Sequence, residues 1–217
     1  MSKLFASFFF FLLISSSSVT SAQNSHSIEI NGGIISPMSS SNGLTASVQF
    51  NYSYSSTVNF YLYSGYSSWD KYNVTFYEDY SEIQKKQFFQ TYSEDDHVMI
   101  PVFLGAKINF HTTKFFTTYI DVEVGYANLS YNSYSNRKIV DPETGEVLKY
   151  TIDPASKREV NDNLFGIGIG AGLSLPITKY LNLILSFKLN SFLNSGYGLF
   201  SSKGTYTAFL AGFNFNI

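Results

Sequence analysis

The sequence predicts an all-β fold, an eight-stranded antiparallel up-and-down transmembrane β-barrel, and three observations carry that prediction. Eight segments alternate apolar and polar residues with period two; the connections between them alternate short and long; and charge is nearly absent outside two stretches.

The chain opens with Met1-Ser2-Lys3, an apolar run from Leu4 to Ile14, a Ser-rich stretch and Val19-Thr20-Ser21-Ala22. One cation, a short apolar core and small residues before a cut after Ala22 read as a secretory signal peptide over residues 1–22. The apolar run is too short for a spanning helix, which needs about 20 residues. Residues 23–217 are then one barrel domain, and without a single Cys it must hold together without disulfides.

Composition decides between a soluble and a membrane-supported fold. Charged residues make up 14% of the chain, against about 25% in ordinary soluble domains. Of the 30 charged residues, 21 lie within 70–96 and 137–162. The rest of the chain past residue 22 is too poor in charge to stay in water on its own. A net charge of −2 offers no basic stripe for phosphates, so nucleic acid is not a partner.

The strands follow in order. Ile28 to Ile34 is a short alternating segment. Leu44, Ala46, Val48, Phe50, Tyr52 and Tyr54 alternate with Thr45, Ser47, Gln49, Asn51 and Ser53. Val58 to Tyr66 is the third, and Ile100 to Phe110 the fourth, with Lys107 on its mixed row. Phe116 to Tyr126 sets an apolar row opposite Tyr119, Asp121 and Glu123. In the sixth, Phe165 to Leu175 alternate with Gly166, Gly168, Gly170 and Gly172; the seventh runs Leu181 to Leu189 and the eighth Phe209 to Ile217. Each is near the 9 to 11 residues that cross a bilayer at barrel tilt, roughly.

Tight turns at Ser55-Ser56-Thr57, His111 to Lys114 and Pro176 to Tyr180 define one end. At the other end, Ser67 to Asp96 and Ser133 to Asp162 read as long polar loops. Within the second, Ile139 to Leu148 has turn residues between apolar flanks and predicts a β-hairpin, making strands five and six rise beyond the membrane as a protruding sheet. Such a raised edge can capture an external strand.

Sidedness follows from the mixed rows, whose only charges are Glu29, Lys107, Asp121, Glu123 and Lys188. Facing water they are too few; facing a narrow interior they can pair as a lumen charge network, with the Ile/Leu/Val/Phe rows against lipid. Eight strands enclose room for side chains and no wide channel. The glycines of the sixth strand leave space for Tyr61, Tyr63, Tyr119 or Lys188.

The final residues Leu210-Ala211-Gly212-Phe213-Asn214-Phe215-Asn216-Ile217 and the segment Ile100-Pro101-Val102-Phe103-Leu104-Gly105-Ala106-Lys107 resemble the small outer-membrane barrel family that includes OmpX and the membrane domain of OmpA. The likeness covers nearly all of residues 23–217, as a pattern and two short signatures. Family members end on an aromatic residue, where this chain has Ile217. The resemblance implies a bacterial outer-membrane location, contact with lipid and lipopolysaccharide, and a plugged lumen. It also implies an assembly signal at Gly212, Phe215 and Ile217 read by the barrel-assembly machinery. No peptidoglycan-binding domain follows, so cell-wall anchoring is not carried over.

Candidate chemistry is sparse. The histidines are His26, His97 and His111; only His97 falls at the outer end, beside Asp95 and Asp96, which can orient an imidazole. Three adjacent strand side chains point to alternate faces, so Asp95, Asp96 and His97 make a poor metal site, and neither metal nor cofactor is predicted. Trp69, Tyr72, Tyr77, Tyr131 and Tyr134 lie at or above the outer interface, as girdle residues or contacts for an extracellular protein or glycan. The sequence thus points to a non-enzymatic surface barrel with a structural or adhesion role. The alternatives are an enzyme that acylates or deacylates lipid A through His97, and a narrow passive pore.

Overall fold

A computed structural model describes residues 26–38, 40–81, 85–194 and 204–217, with the backbone alone considered for 71–81 and 86–93. The signal-peptide segment, residues 1–22, lies outside the described residues.

Among the described residues ten strands form in chain order: β1 (His26–Pro37), β2 (Gly43–Ser53), β3 (Val58–Ser81), β4 (Lys86–Thr112), β5 (Thr117–Tyr134), β6 (Asn136–Val140), β7 (Val147–Ile152), β8 (Arg158–Thr178), β9 (Leu181–Phe192) and β10 (Thr205–Asn216). Eight of them close a barrel in the order β1-β10-β9-β8-β5-β4-β3-β2, every neighbouring pair antiparallel. The seam is the β1–β10 ladder, from Ser27 opposite Asn216 to Pro37 opposite Tyr206. Closure leaves the ring without an edge, so the backbone groups of its strands are paired all the way round.

Alternation sets the two faces. Ile30, Leu44, Leu62, Leu104, Ile120, Val124, Ile169 and Phe213 are exposed, and all point away from the axis. Glu29, Gln49, Lys107, Asp121, Glu123, Lys188 and Asn190 are buried inside. Exposed rings mark both rims of the apolar belt: Tyr66, Tyr126 and Phe165 at one, Tyr54, Phe110, Phe115 and Tyr180 at the other.

The short connections are tight. At the first, the Tyr54 and Ser55 amides donate to the Val58 carbonyl and Ser55 Oγ accepts from Val58. At the second, Thr113 Oγ1 accepts from the Phe115 and Phe116 amides. At the opposite end the sequence-based reading needs correction. Ser67 to Asp96 is not a loop: β3 and β4 stay paired from Lys71 opposite Asp95 to Ser81 opposite Lys86, forming a ribbon that stands above the barrel. Period-two alternation weakens there because the ribbon has no lipid or lumen to select one face, so the polar composition hid the strands.

The predicted hairpin is present as β6–β7, closed by a turn in which the Gly145 amide donates to the Asp141 carbonyl. The β5–β8 ladder rises with it, from Asn128 opposite Asn163 to Ser133 opposite Arg158. The hairpin does not continue that ladder, however. It forms a two-stranded sheet of its own, set off by a 3-10 turn at Pro154–Ser156 that Asp153 caps, and it leans on β4.

Candidate functional site

The interior is layered along the barrel axis. At the short-turn end Ser27, Asn51, Asn59, Asn109, Asn182 and Asn214 line a polar vestibule of about 170 Å3. Its floor is an ion pair, Lys107 Nζ to Glu29 Oε2 at 3.0 Å, with Asn31 donating to Glu29 at 2.9 Å and the Lys107 ammonium 4.3 Å above the Tyr119 ring.

The next layer is built around Lys188. Its ammonium donates to Glu123 and lies 3.9 Å from Asp121, between the rings of Tyr61 and Tyr63 at 5.0 and 4.5 Å. The Tyr61 hydroxyl lies 3.1 Å from Asp121 and 2.8 Å from Glu123, and Asn190 donates to the other Glu123 oxygen. All five charges read from the mixed rows therefore meet inside, in two linked groups.

Glycines shape this layer. A Cβ on Gly170 would sit 2.7 Å from Asp121, and one on Gly172 2.4 Å from the Tyr119 ring. Tyr61 takes its space from Gly105 of β4, where a Cβ would fall 2.2 Å from the ring, and not from the glycines of β8.

Above the charges the lumen turns apolar. Ile35, Tyr63, Met99, Phe103, Leu164, Phe192 and Tyr206 form one buried cluster that fills the barrel towards its outer end. The sequence reading took the mixed row as mostly small or polar and expected a plugged lumen, but not that an apolar cluster would form the plug. Its trace was visible in Met99, Pro101 and Phe103, apolar residues at successive inward positions of β4.

The plug is capped by a three-ring stack. His97 lies between Trp69, centroids 5.0 Å apart and planes 11° apart, and Tyr131, at 5.1 Å and 12°. Its Nε2 is 3.7 Å from Glu94 Oε2. A break in the β4–β5 ladder between Asp95 and Val98 makes this possible. Asp96 takes a left-handed conformation there, φ 53°, so that both Glu94 and His97 turn inward; a bulge is the usual way to re-aim a strand side chain. Asp96 itself is exposed and accepts from Asn132 at 2.9 Å. The partner of the imidazole is thus Glu94, which sequence inspection did not single out, and not Asp95 or Asp96. The bulge adds one residue to β4, three steps from Asp95 to Val98 against two from Asn132 to Ser130 on β5, and a one-residue slip in facing cannot be read from alternation.

Trp69 and Tyr131 are 8% exposed, inside the mouth, where the sequence placed them at the surface. Position along the strand was right, but facing is set by the register of β3 and β5 against their neighbours. Tyr134 ends β5 above the rim, opposite Ser93 of the ribbon. The side chains of Tyr72 and Tyr77 lie outside the described set. Gly212 sits at the seam, where a Cβ would meet the Ile30 carbonyl at 2.0 Å, while Phe215 and Ile217 face outward. A cavity of about 50 Å3 remains beside the stack, lined by Met38, Leu129, Leu164 and Tyr206 among others. Among the described residues no group of three His, Cys, Asp or Glu is placed to hold a metal ion.

No protein-family model matches the chain, and no curated protein matches it in sequence. Solved structures do match in fold. Neisserial surface protein A aligns with a TM-score of 0.51 and 12% identity over 89% of this chain and 97% of that one. A major outer membrane protein from Thermus thermophilus aligns with a TM-score of 0.51 and 14% identity over 88% and 99%. At such identities the likeness concerns architecture alone, a closed antiparallel β-barrel of eight strands.

Proposed function

We propose that this protein is an integral barrel of the bacterial outer membrane, of the kind represented by OmpX and the membrane domain of OmpA. In this reading it is non-enzymatic, closed to solutes, and engages other surfaces through the elements above its outer rim. The observation that carries the reading is the sidedness of the barrel: rows of exposed Ile, Leu, Val and Phe outside, paired charges inside. In water that exterior is an aggregation surface; in a bilayer it is the favourable state. The signal peptide of residues 1–22 supplies export, residues 23–217 insert through the assembly machinery that reads Gly212, Phe215 and Ile217, and the belt meets lipid and lipopolysaccharide.

A structural and adhesive role fits the proportions of the molecule. The plug of Phe103, Met99 and Ile35 argues against a pore, since an apolar constriction excludes hydrated ions. The ribbon and the β6–β7 hairpin are available to an extracellular protein or glycan, with Tyr134 at their base and Tyr72 and Tyr77 along the ribbon.

One observation favours a second reading, a lipid A acylating or deacylating enzyme: the buried Glu94–His97 pair beside a strained Asp96. Against it stands the stacking of both imidazole faces on rings, with too little adjoining space for an acyl chain.

Detergent-folded protein is expected to migrate differently in gels before and after boiling, and to give almost no conductance steps in planar bilayers. Absence of a heat-dependent shift, with solubility in plain buffer, overturns the membrane reading. Regular conductance steps overturn the plugged lumen. A changed lipid A mass spectrum that depends on His97, lost in His97→Ala, moves the protein to the enzyme class.

A further inference from the structure

Above the barrel, β3 is an open edge. Its ladder with β2 ends at Leu44 opposite Ser68, yet β3 continues to Ser81 with β4 on one side only. Among the described residues no other strand pairs with β3 beyond Ser68 on that side. The hairpin β6–β7 leans on β4, away from this edge. From Trp69 to Ser81 the edge is long and carries no proline, and its guards are the charges of Asp70, Lys71, Glu78 and Asp79 and the irregularity between Tyr77 and Asp79.

We propose that this edge pairs antiparallel with the same edge of a second copy held in a facing membrane. Charge and symmetry single out that occupant. Centred on Thr75, self-pairing sets Val74 against Phe76, Asn73 against Tyr77 and Lys71 against Asp79, twice over by symmetry. The register with β4 skips Glu78, between Tyr77 and Asp79, so an alignment that counts either of the two neighbouring acids sets Lys71 against a carboxylate. Shifting the centre half a residue towards the barrel keeps Lys71 against an acid, Glu78, but sets Asp70 against Asp79, a like-charge pair that destabilises a sheet.

Antiparallel pairing of one strand with its copy requires a two-fold axis perpendicular to the strands. The β3 strands of neighbours in one membrane both point outward and are parallel. An axis perpendicular to them lies along the membrane plane and relates copies in opposite membranes. Thr75 lies nine positions past the rim residue Tyr66, roughly 30 Å along the strand at about 3.3 Å per residue, so the contact clears the bilayer surface. A single strand pair is a small interface and weak alone, and many copies on two apposed surfaces multiply it.

The inference rests on the membrane reading above and deepens it by naming the partner. Phosphatidylcholine vesicles carrying the full-length mature protein are expected to cluster in light scattering, and protein-free vesicles to stay dispersed. Lys71→Glu vesicles alone, and Glu78→Lys/Asp79→Lys vesicles alone, lose clustering. Mixing the two variant populations restores it, because each then presents the charge the other lacks. Dispersed wild-type vesicles, clustering in the unmixed variants, or no recovery on mixing each overturn the proposal. The heat-dependent gel shift of every variant reports barrel insertion separately, so failure of the barrel is distinguishable from failure of the pairing.

Discussion

At the scale of single residues, the interior explains which substitutions hurt. Lys188 is 6% exposed and serves two carboxylates; Lys188→Met leaves Glu123 and Asp121 facing each other without a cation. Removing one partner of a buried ion group costs about 3–5 kcal/mol. Urea unfolding in lipid vesicles is expected to register a loss of that size, and adding Glu123→Gln to return part of it. No loss in the single variant shows that the two carboxylates do not depend on Lys188. Trp69 provides a second check, since it is the one tryptophan of the chain. Buried in the stack, its emission is expected to be blue-shifted and resistant to acrylamide; easy quenching places the ring outside. The five lumen charges were legible because charge is conspicuous on strands otherwise almost free of it. The stack was not, since Trp69, His97 and Tyr131 come from three strands and meet only through their registers.

At the scale of elements, each barrel strand has an outward row, proposed to meet lipid, and a lumen row, and the same substitution has different consequences on each. Ile120→Arg puts a cation on the lipid row of β5, at a cost of about 2–4 kcal/mol near the bilayer midplane. Its unfolding midpoint in vesicles is expected to drop accordingly; an unchanged midpoint means that Ile120 does not face lipid. The ribbon is different in kind, because its strands neither span the bilayer nor close the ring. Replacing residues 74–92 with a two-residue Asn-Gly turn joins Asn73 to Ser93, which already pair, and such turns suit two-residue hairpins. That variant is expected to keep the heat-dependent gel shift and the wild-type unfolding midpoint. Loss of either assigns the ribbon a role in barrel stability.

For the whole molecule, closure is the decisive event. The β1–β10 seam joins the two ends of the described barrel, so the last strand must find the first. Gly212 stands there opposite Asn31, and a Cβ would lie 2.0 Å from the Ile30 carbonyl and 2.3 Å from the Asn31 side chain. Gly212→Leu is expected to abolish the heat-resistant folded form while leaving expression intact; a normal gel shift shows that the seam tolerates the side chain. The glycine in the C-terminal signature thus has a structural reason for being small, beside its proposed recognition during assembly.

By itself the sequence determined the barrel class, the number of strands that close it, the tight-turn end and which row faces outward, because alternation records the two faces of each strand directly. Tertiary structure alone decided what the inward residues do to one another. Facing at the bulge of Asp96, the pairing of Glu94 with His97, the apolar plug of Phe103 and Met99, and the ribbon built from a polar stretch all depend on register between strands far apart in the chain. Alternation within one strand carries no information about its neighbour's register, and contacts across a lumen are fixed only when the ring closes.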